Sequence, residues 1–203
     1  MFYMYNDRRS GNRRGNPRGQ RSDPLLSVEW CRVIDHPSAN EAIVVVTEPS
    51  LHVIRLSAKP NKGVQMVGSR LYMGSDISQK DVVQDILGFA RIRDLSNAAN
   101  QEMPIVIQQI IEDSPSVFIE QFFNRAGNLS RKMHAFELLP GVGNKKALDM
   151  VSKRGRAGWE NFAQLDDDCG INSAELLARR FVAEIEDRNL QPRLIELLLR
   201  QEE

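Results

Sequence analysis

The stretch Phe136-Glu-Leu-Leu-Pro-Gly-Val-Gly-Asn-Lys-Lys-Ala-Leu-Asp-Met-Val151 constrains this chain more than any other. Its spacing predicts two helices joined by a tight turn, Pro140-Gly141-Val142-Gly143. Met133, Phe136 and Leu139 would share one face of the first helix, and Ala147 and Val151 one face of the second. Pro140 and Gly141 stop the first helix, and the glycines permit backbone angles that a Cβ excludes. Backbone N–H groups of the turn and of the following first helical turn then lack an intrahelical acceptor. With the helix dipole behind them, they make a site for a phosphate oxygen. Lys145 and Lys146 follow at once and add positive charge. Gly141, Val142, Gly143, Lys145 and Lys146 are therefore the candidate phosphate-binding residues. The competing reading is a glycine-containing link inside an ordinary helical bundle.

The rest of the chain narrows the function classes. At 203 residues it can form one domain or two small ones, each with a core. Charged residues at 27% and apolar ones at 41% fit a soluble globular protein. No apolar run approaches the ~20 residues that span a bilayer. The N-terminus has neither the apolar core nor the cleavage site of a signal peptide, so a cytoplasmic location without membrane contact is expected. Cys31 and Cys169 are too few for a disulfide framework or a zinc site, and His36, His52 and His134 fall in no metal-ligand spacing. No cofactor or metal is expected.

The formal net charge of zero conceals an asymmetry. Residues 1–22 carry six arginines, Arg8, Arg9, Arg13, Arg14, Arg18 and Arg21, against one acid, Asp7; the remainder holds 21 basic and 26 acidic residues. A broadly basic surface is thus excluded, and any nucleic-acid contact must be local. Residues 1–24 read as a disordered arginine-rich tail, because between Arg8 and Arg21 no apolar side chain could anchor a fold. The tail is either a cationic arm that gains affinity by counterion release or a solubilising leader.

Residues 25–94 read as a small β-barrel. Leu26, Val28, Trp30, Arg32 and Ile34 alternate with Ser27, Glu29, Cys31, Val33 and Asp35. Further strands are expected at Ala42–Val46, His52–Leu56, Gln65–Val67, Arg70–Met73 and Leu87–Ile92. Short strands with glycines at the bends favour a closed, OB-like barrel over an open sheet. Trp30, Tyr72 and Phe89 could stack bases, with Arg32, Arg55, Arg70 and Arg91 as phosphate partners, but a small barrel also needs aromatics to fill its core.

Residues 95–203 are helical by periodicity. A helix is expected over Met103–Asp113, then one carrying Phe118, Ile119, Phe122 and Phe123 behind Ser114-Pro115. Ser130 should open the first helix of the hairpin, which spans about 130–154. Lys153 and Arg154 end its second helix, where they suit either the helix dipole or a phosphate. A degenerate second hairpin is expected at about 159–187. Its loop would hold Asp166, Asp167 and Asp168, and Asn172 and Glu175 would cap the next helix. Pro192–Arg200 reads as a Leu-rich helix that docks on the body or on a protein partner.

The hairpin pattern resembles the helix-hairpin-helix module, which grips nucleic-acid backbone without reading sequence. Glu29–Asp35, Arg70–Gly74 and Phe122-Phe123-Asn124 leading to Leu138–Gly143 together resemble an uncharacterised, mainly archaeal family with an OB-like barrel followed by that module. The resemblance covers roughly residues 28 to 165 and implies nucleic-acid binding; only Gly141, Val142 and Gly143 carry over. The module order is also similar to the Holliday-junction-binding subunit of the branch-migration machine, where two good hairpins are expected and here the second is acidic.

The fold expected is therefore α+β, a barrel followed by a helix-hairpin-helix region. The function expected is non-enzymatic, sequence-independent binding of DNA or RNA backbone, with Arg8, Arg9, Arg13, Arg14, Arg18, Arg21, Lys153 and Arg154 as further candidate contacts. An adaptor subunit of a repair, transcription or translation complex is the alternative. A base-excision glycosylase or nuclease ranks third, since the aspartates downstream of the turn read as a solvated loop and no carboxylate set converges on a metal.

Overall fold

β-Branched runs build a five-stranded antiparallel sheet from β1 (Trp30–Asp35), β2 (Ile43–Glu48), β3 (Val53–Ala58), β4 (Arg70–Tyr72) and β5 (Val83–Phe89), in the order β4-β1-β2-β3-β5. The computed structural model describes residues 24, 25 and 27–199. The arginines of the tail lie outside the described residues. Register is set by buried pairs such as Val33 opposite Val45 and Val45 opposite Ile54, because a one-residue slip would turn both sets to the other face. One face encloses a small core of Leu25, Val28, Cys31, Val33, Ile43, Val45, Ile54, Leu56, Leu71, Met73 and Val83.

The sheet curls but does not close. Register shifts at Arg55/Leu56 and Ser57/Ala58 bend the β3–β5 pair. β4, at three residues, and β5 are the two edges of the sheet, and they do not pair with each other. The result is a half-barrel rather than the closed barrel expected. The run Gln65–Val67 is a loop, held by Gln65 N–H donating to His36 Nδ1 (2.8 Å) and Gly68 N–H donating to the Val33 carbonyl (2.8 Å).

The opposite face of the sheet meets the helices. Ile34, Val46 and Val53 join α1 (Asn97–Glu112) through Ala99, Met103, Val106, Ile107 and Ile110 in one continuous core. α1 starts earlier than periodicity suggests because Ser96 caps it, accepting from the Ala99 N–H, and the helix passes through Pro104. A π-helical segment, Ser116–Phe123, supplies Phe118, Ile119, Phe122 and Phe123 to the same core.

The next segment departs from the expected helix. Ser130 opens none: β6 (Asn128–Ser130) and β7 (Met133–His134) form a two-stranded ribbon, followed by a single 3-10 turn, Ala135–Leu138. The reason is local. His134 and Glu137 form a capping box that starts the helical turn at Ala135, and Pro140 forces Leu139 into an extended conformation (φ −74°, ψ 130°). Only one turn fits between those stops. Phe136 and Leu139 are buried as expected, whereas Met133 is exposed on the ribbon.

α2 (Asn144–Arg154), α3 (Phe162–Cys169) and α4 (Ser173–Glu186) complete the helical layer. Asp166, Asp167 and Asp168 lie in the last turns of α3, not in a loop. Asp166 accepts from the Ser173 N–H (2.8 Å) and Asp168 from Trp159 Nε1 (2.9 Å). The chain reverses at Gly170, which is left-handed (φ 59°), and Asn172 caps α4 by accepting from the Glu175 N–H. α5 (Leu194–Leu199) docks on the body through Leu194 and Ile195, while Leu197 stays exposed.

Candidate functional site

Between Leu139 and α2 the backbone makes the tight turn that the sequence demands. Val142 N–H donates to the Leu139 carbonyl (3.0 Å), and the Val142 side chain is buried as an anchor. Gly141 has φ +79°, and a Cβ there would meet nothing within 4 Å. Conformation rather than space thus requires a glycine at 141. Gly143 is the N-cap of α2 and brings no side chain to cap it. Among the described residues no side chain caps the amides of the first turn of α2, which have no intrahelical acceptor and the positive end of the helix dipole behind them. Gly141, Gly143, Asn144 and Lys145 are all exposed.

The turn borders an open cleft of about 550 Å³, lined by Glu137–Gly143 together with Arg180 and Ala183 of α4. Its walls carry both signs of charge. Glu137 is committed locally, its Oε1 accepting from the His134 N–H (2.7 Å) and from Asn144 Nδ2 (3.4 Å). Arg180 is almost wholly buried and pairs with Glu184 at 2.7 Å. A second depression of about 540 Å³ lies around Gly143, Asn144, Lys145, Lys146 and Asp149.

The two lysines after the turn have different fates. Lys145 points outward with no ion pair among the described residues. Lys146 reaches back to the Cys169 carbonyl at the end of α3, and Lys153 donates to the neighbouring Asp168 carbonyl. Both lysines satisfy the orphan carbonyls of a helix that ends in three acids. Arg154 turns inward, donating to the carbonyls of Phe123 (3.1 Å) and Ala126 (2.6 Å), with its guanidinium 5.6 Å above the Phe136 ring. Of the cations nearest the turn in sequence, Lys145 is left for a ligand.

The aromatic platform is largely occupied. Trp30 packs edge-on against buried Tyr72 at 5.1 Å, and Arg70 lies 4.2 Å over its ring. Arg32 and Arg70 both bind Glu48, at 2.6 and 2.8 Å. Phe89 is 48% exposed and touches His52 edge-on.

Two side chains that hold the site are given no structural role by the sequence pattern. Asn124 pairs with the Trp159 backbone in both directions, Nδ2 donating to the carbonyl and Oδ1 accepting from the N–H, each at 2.8 Å. His134 Nδ1 accepts from the Phe136 N–H (3.1 Å), and burial, helped by the Arg154 charge, holds the His134 pKa below its ordinary value. Among the described residues no group of acids, histidines and cysteines is arranged to hold a metal, and no helix is long and apolar enough to cross a membrane.

These features define an α+β protein in which a curled antiparallel sheet backs a helical layer with a glycine turn at its rim. The chain belongs to the family described as proteins of unknown function, DUF655, whose model matches residues 35–194. The uncharacterised protein MJ0038 of Methanocaldococcus jannaschii is 23% identical over 135 residues, which is 66% of this chain and 60% of that relative. The chain therefore spans less than two thirds of that relative's length. The crystal structure of Af1531 from Archaeoglobus fulgidus, ascribed to the same family, is similar with a TM-score of 0.71 and 28% identity, over 82% of this chain and 98% of that one.

Proposed function

We propose that this is a non-enzymatic nucleic-acid-binding protein that grips phosphate backbone at the Pro140–Lys145 turn without reading sequence. The observation that carries the reading is the uncapped start of α2, where exposed amides behind a left-handed Gly141 lie next to the unpaired Lys145. The segment is a shortened helix-hairpin-helix, one 3-10 turn standing where a full first helix would be. The strand order, with β4 beside β1 and β5 beside β3, supports an OB-like reading as a partly open Greek-key barrel. Amides bind phosphates by position and leave base identity unread. The inward engagement of Asp166 and Asp168 favours a structural over a catalytic role for those acids.

Salt-titrated affinity for duplex DNA, single-stranded DNA and structured RNA tests this. Gly141→Val with Gly143→Val is expected to weaken binding and flatten the log–log salt slope, by about 0.9 per lost phosphate contact on duplex. A chain lacking residues 1–22 should lose slope on all ligands alike. Unchanged binding by the folded double-valine protein would sink the proposal.

A second reading, an adaptor subunit of a repair, transcription or translation complex, draws on one observation. Edge strand β5 exposes Ile86, Leu87 and Phe89 beside unpaired backbone, a surface on which another chain can add a strand. A stoichiometric partner that survives nuclease treatment and is lost on Leu87→Lys would favour it.

A further inference from the structure

Every residue from Gly127 to Met133 is exposed, although the segment forms the β6–β7 ribbon. A two-stranded ribbon is marginal in water unless a face is covered. Here Leu129 is 41% and Met133 38% exposed, so apolar side chains face solvent. The root, by contrast, is fixed. Ala135 N–H donates to the Gly127 carbonyl (2.9 Å), His134 and Ala135 are buried, and Arg154 holds the Ala126 carbonyl at 2.6 Å. A firmly anchored finger therefore carries two outward apolar groups beside its tip, Arg131-Lys132.

The surrounding charge indicates what the finger meets. Elsewhere on the body Arg32 and Arg70 are paired with Glu48, Arg180 with Glu184 and Arg193 with Glu196, while Arg55, Arg91 and Arg188 are exposed, scattered and without an ion pair among the described residues. Arg125, Arg131, Lys132 and Arg156 are exposed and have no ion pair among the described residues. Arg125 and Arg156 adjoin the root, where Arg154 ties the end of α2 to the carbonyls of Phe123 and Ala126, and Arg131 and Lys132 make up the tip. A local cationic excess on a body with more acids than bases selects an anionic partner. Exposed Leu and Met beside it suit a partner with flat apolar faces next to its charges.

We infer that the β6–β7 ribbon is a wedge for the boundary between duplex and single-stranded nucleic acid. Arg131 and Lys132 hold phosphates on either side of the boundary, and Leu129 and Met133 lie against the last paired bases. Apolar side chains of this kind unstack base steps, and a terminal pair, stacked on one face only, yields most readily. The inference rests on the nucleic-acid reading of the Pro140–Lys145 turn and adds a substrate class to it.

The test uses the full chain with a forked DNA carrying 2-aminopurine at the last paired position, a matched blunt duplex and a single strand. The native protein should bind the fork about tenfold more tightly than the blunt duplex and raise the 2-aminopurine fluorescence as that base unstacks. Leu129→Ser with Met133→Ser should abolish the fluorescence rise and the fork preference while keeping the salt slope. Arg131→Ser with Lys132→Ser should lower the slope by about 1.8. All four side chains are exposed, and circular dichroism checks that both variants fold. If the Leu129/Met133 variant still prefers the fork, the wedge is overturned; loss of affinity in the double-valine turn variant would then leave the turn reading standing. If the native protein binds none of the three ligands, both readings fall.

Discussion

Asn124 does the work of a short strand with one side chain. Its amide pairs with both backbone groups of Trp159, and Gly158 must be glycine beside it: φ is +76°, and a Cβ would lie 2.7 Å from the Asn124 Cγ. Asn124→Ala strips two bonds from a partly buried peptide and should cost about 2 kcal/mol, read from a urea melt. His134 contributes a pH dependence. Its pKa is lowered in the fold by burial and then by Arg154, so the unfolded chain binds more protons in acid. Its contribution is complete above the ordinary histidine pKa of about 6.5 and is lost as pH falls below it. The fall in Tm between pH 7 and pH 5 should therefore be smaller for His134→Asn, whose Oδ1 can still accept from the Phe136 N–H. Burial also pushes the Cys31 thiol up to about 12. Cys31 should accordingly resist alkylation until the protein unfolds.

At the scale of elements, α2 divides its work between two neighbours. Lys146 and Lys153 cap α3, whereas Lys145, one residue earlier than Lys146, faces solvent. The two adjacent lysines should separate in experiment. Lys146→Gln should lower stability by about 0.5 kcal/mol, discounted because the side chain is partly exposed, and leave the salt slope of binding alone. Lys145→Gln should leave stability within about 0.5 kcal/mol and flatten the slope by about 0.9 on duplex DNA. The opposite assignment in paired melts and titrations would show that Lys146 leaves α3 to meet the ligand.

At the scale of the whole molecule, the C-terminal end is held by one buried carboxylate. Glu184 is fully buried and accepts from Arg180, from the Leu194 N–H (2.9 Å) and from the Ile195 N–H (3.0 Å). Arg193 returns the contact by donating to the Glu184 carbonyl at 2.9 Å. Glu184→Ala removes the carboxylate from the nearly buried Arg180, which keeps only the Pro192 carbonyl, and strips the acceptor from two helix-start amides, which should cost about 3–5 kcal/mol. Limited proteolysis should then cut in the 187–193 segment before the rest of the chain opens.

The sequence by itself determined the strands, placed at 42–46 and 52–56 and found one or two residues later at 43–48 and 53–58, the Pro140–Gly143 turn, the Asn172 cap and the buried aromatic set, because local periodicity, φ-permissive glycines and capping side chains act within a few residues. It could not show that Ser130 begins no helix: the Arg131-Lys132 ribbon turn and the His134–Glu137 box compete with helical spacing, and contacts to Ala126 and Arg154 tip the balance. Nor could it say which lysine is free. Lys145 and Lys146 are alike in the chain, and only the packing of α3 against α2 brings a helix end within reach of one and not the other. Sheet closure was settled at the same level. Whether five short strands meet at their edges depends on how far the sheet bends, as at the register shifts in β3–β5, which is a property of the pairing rather than of any strand alone.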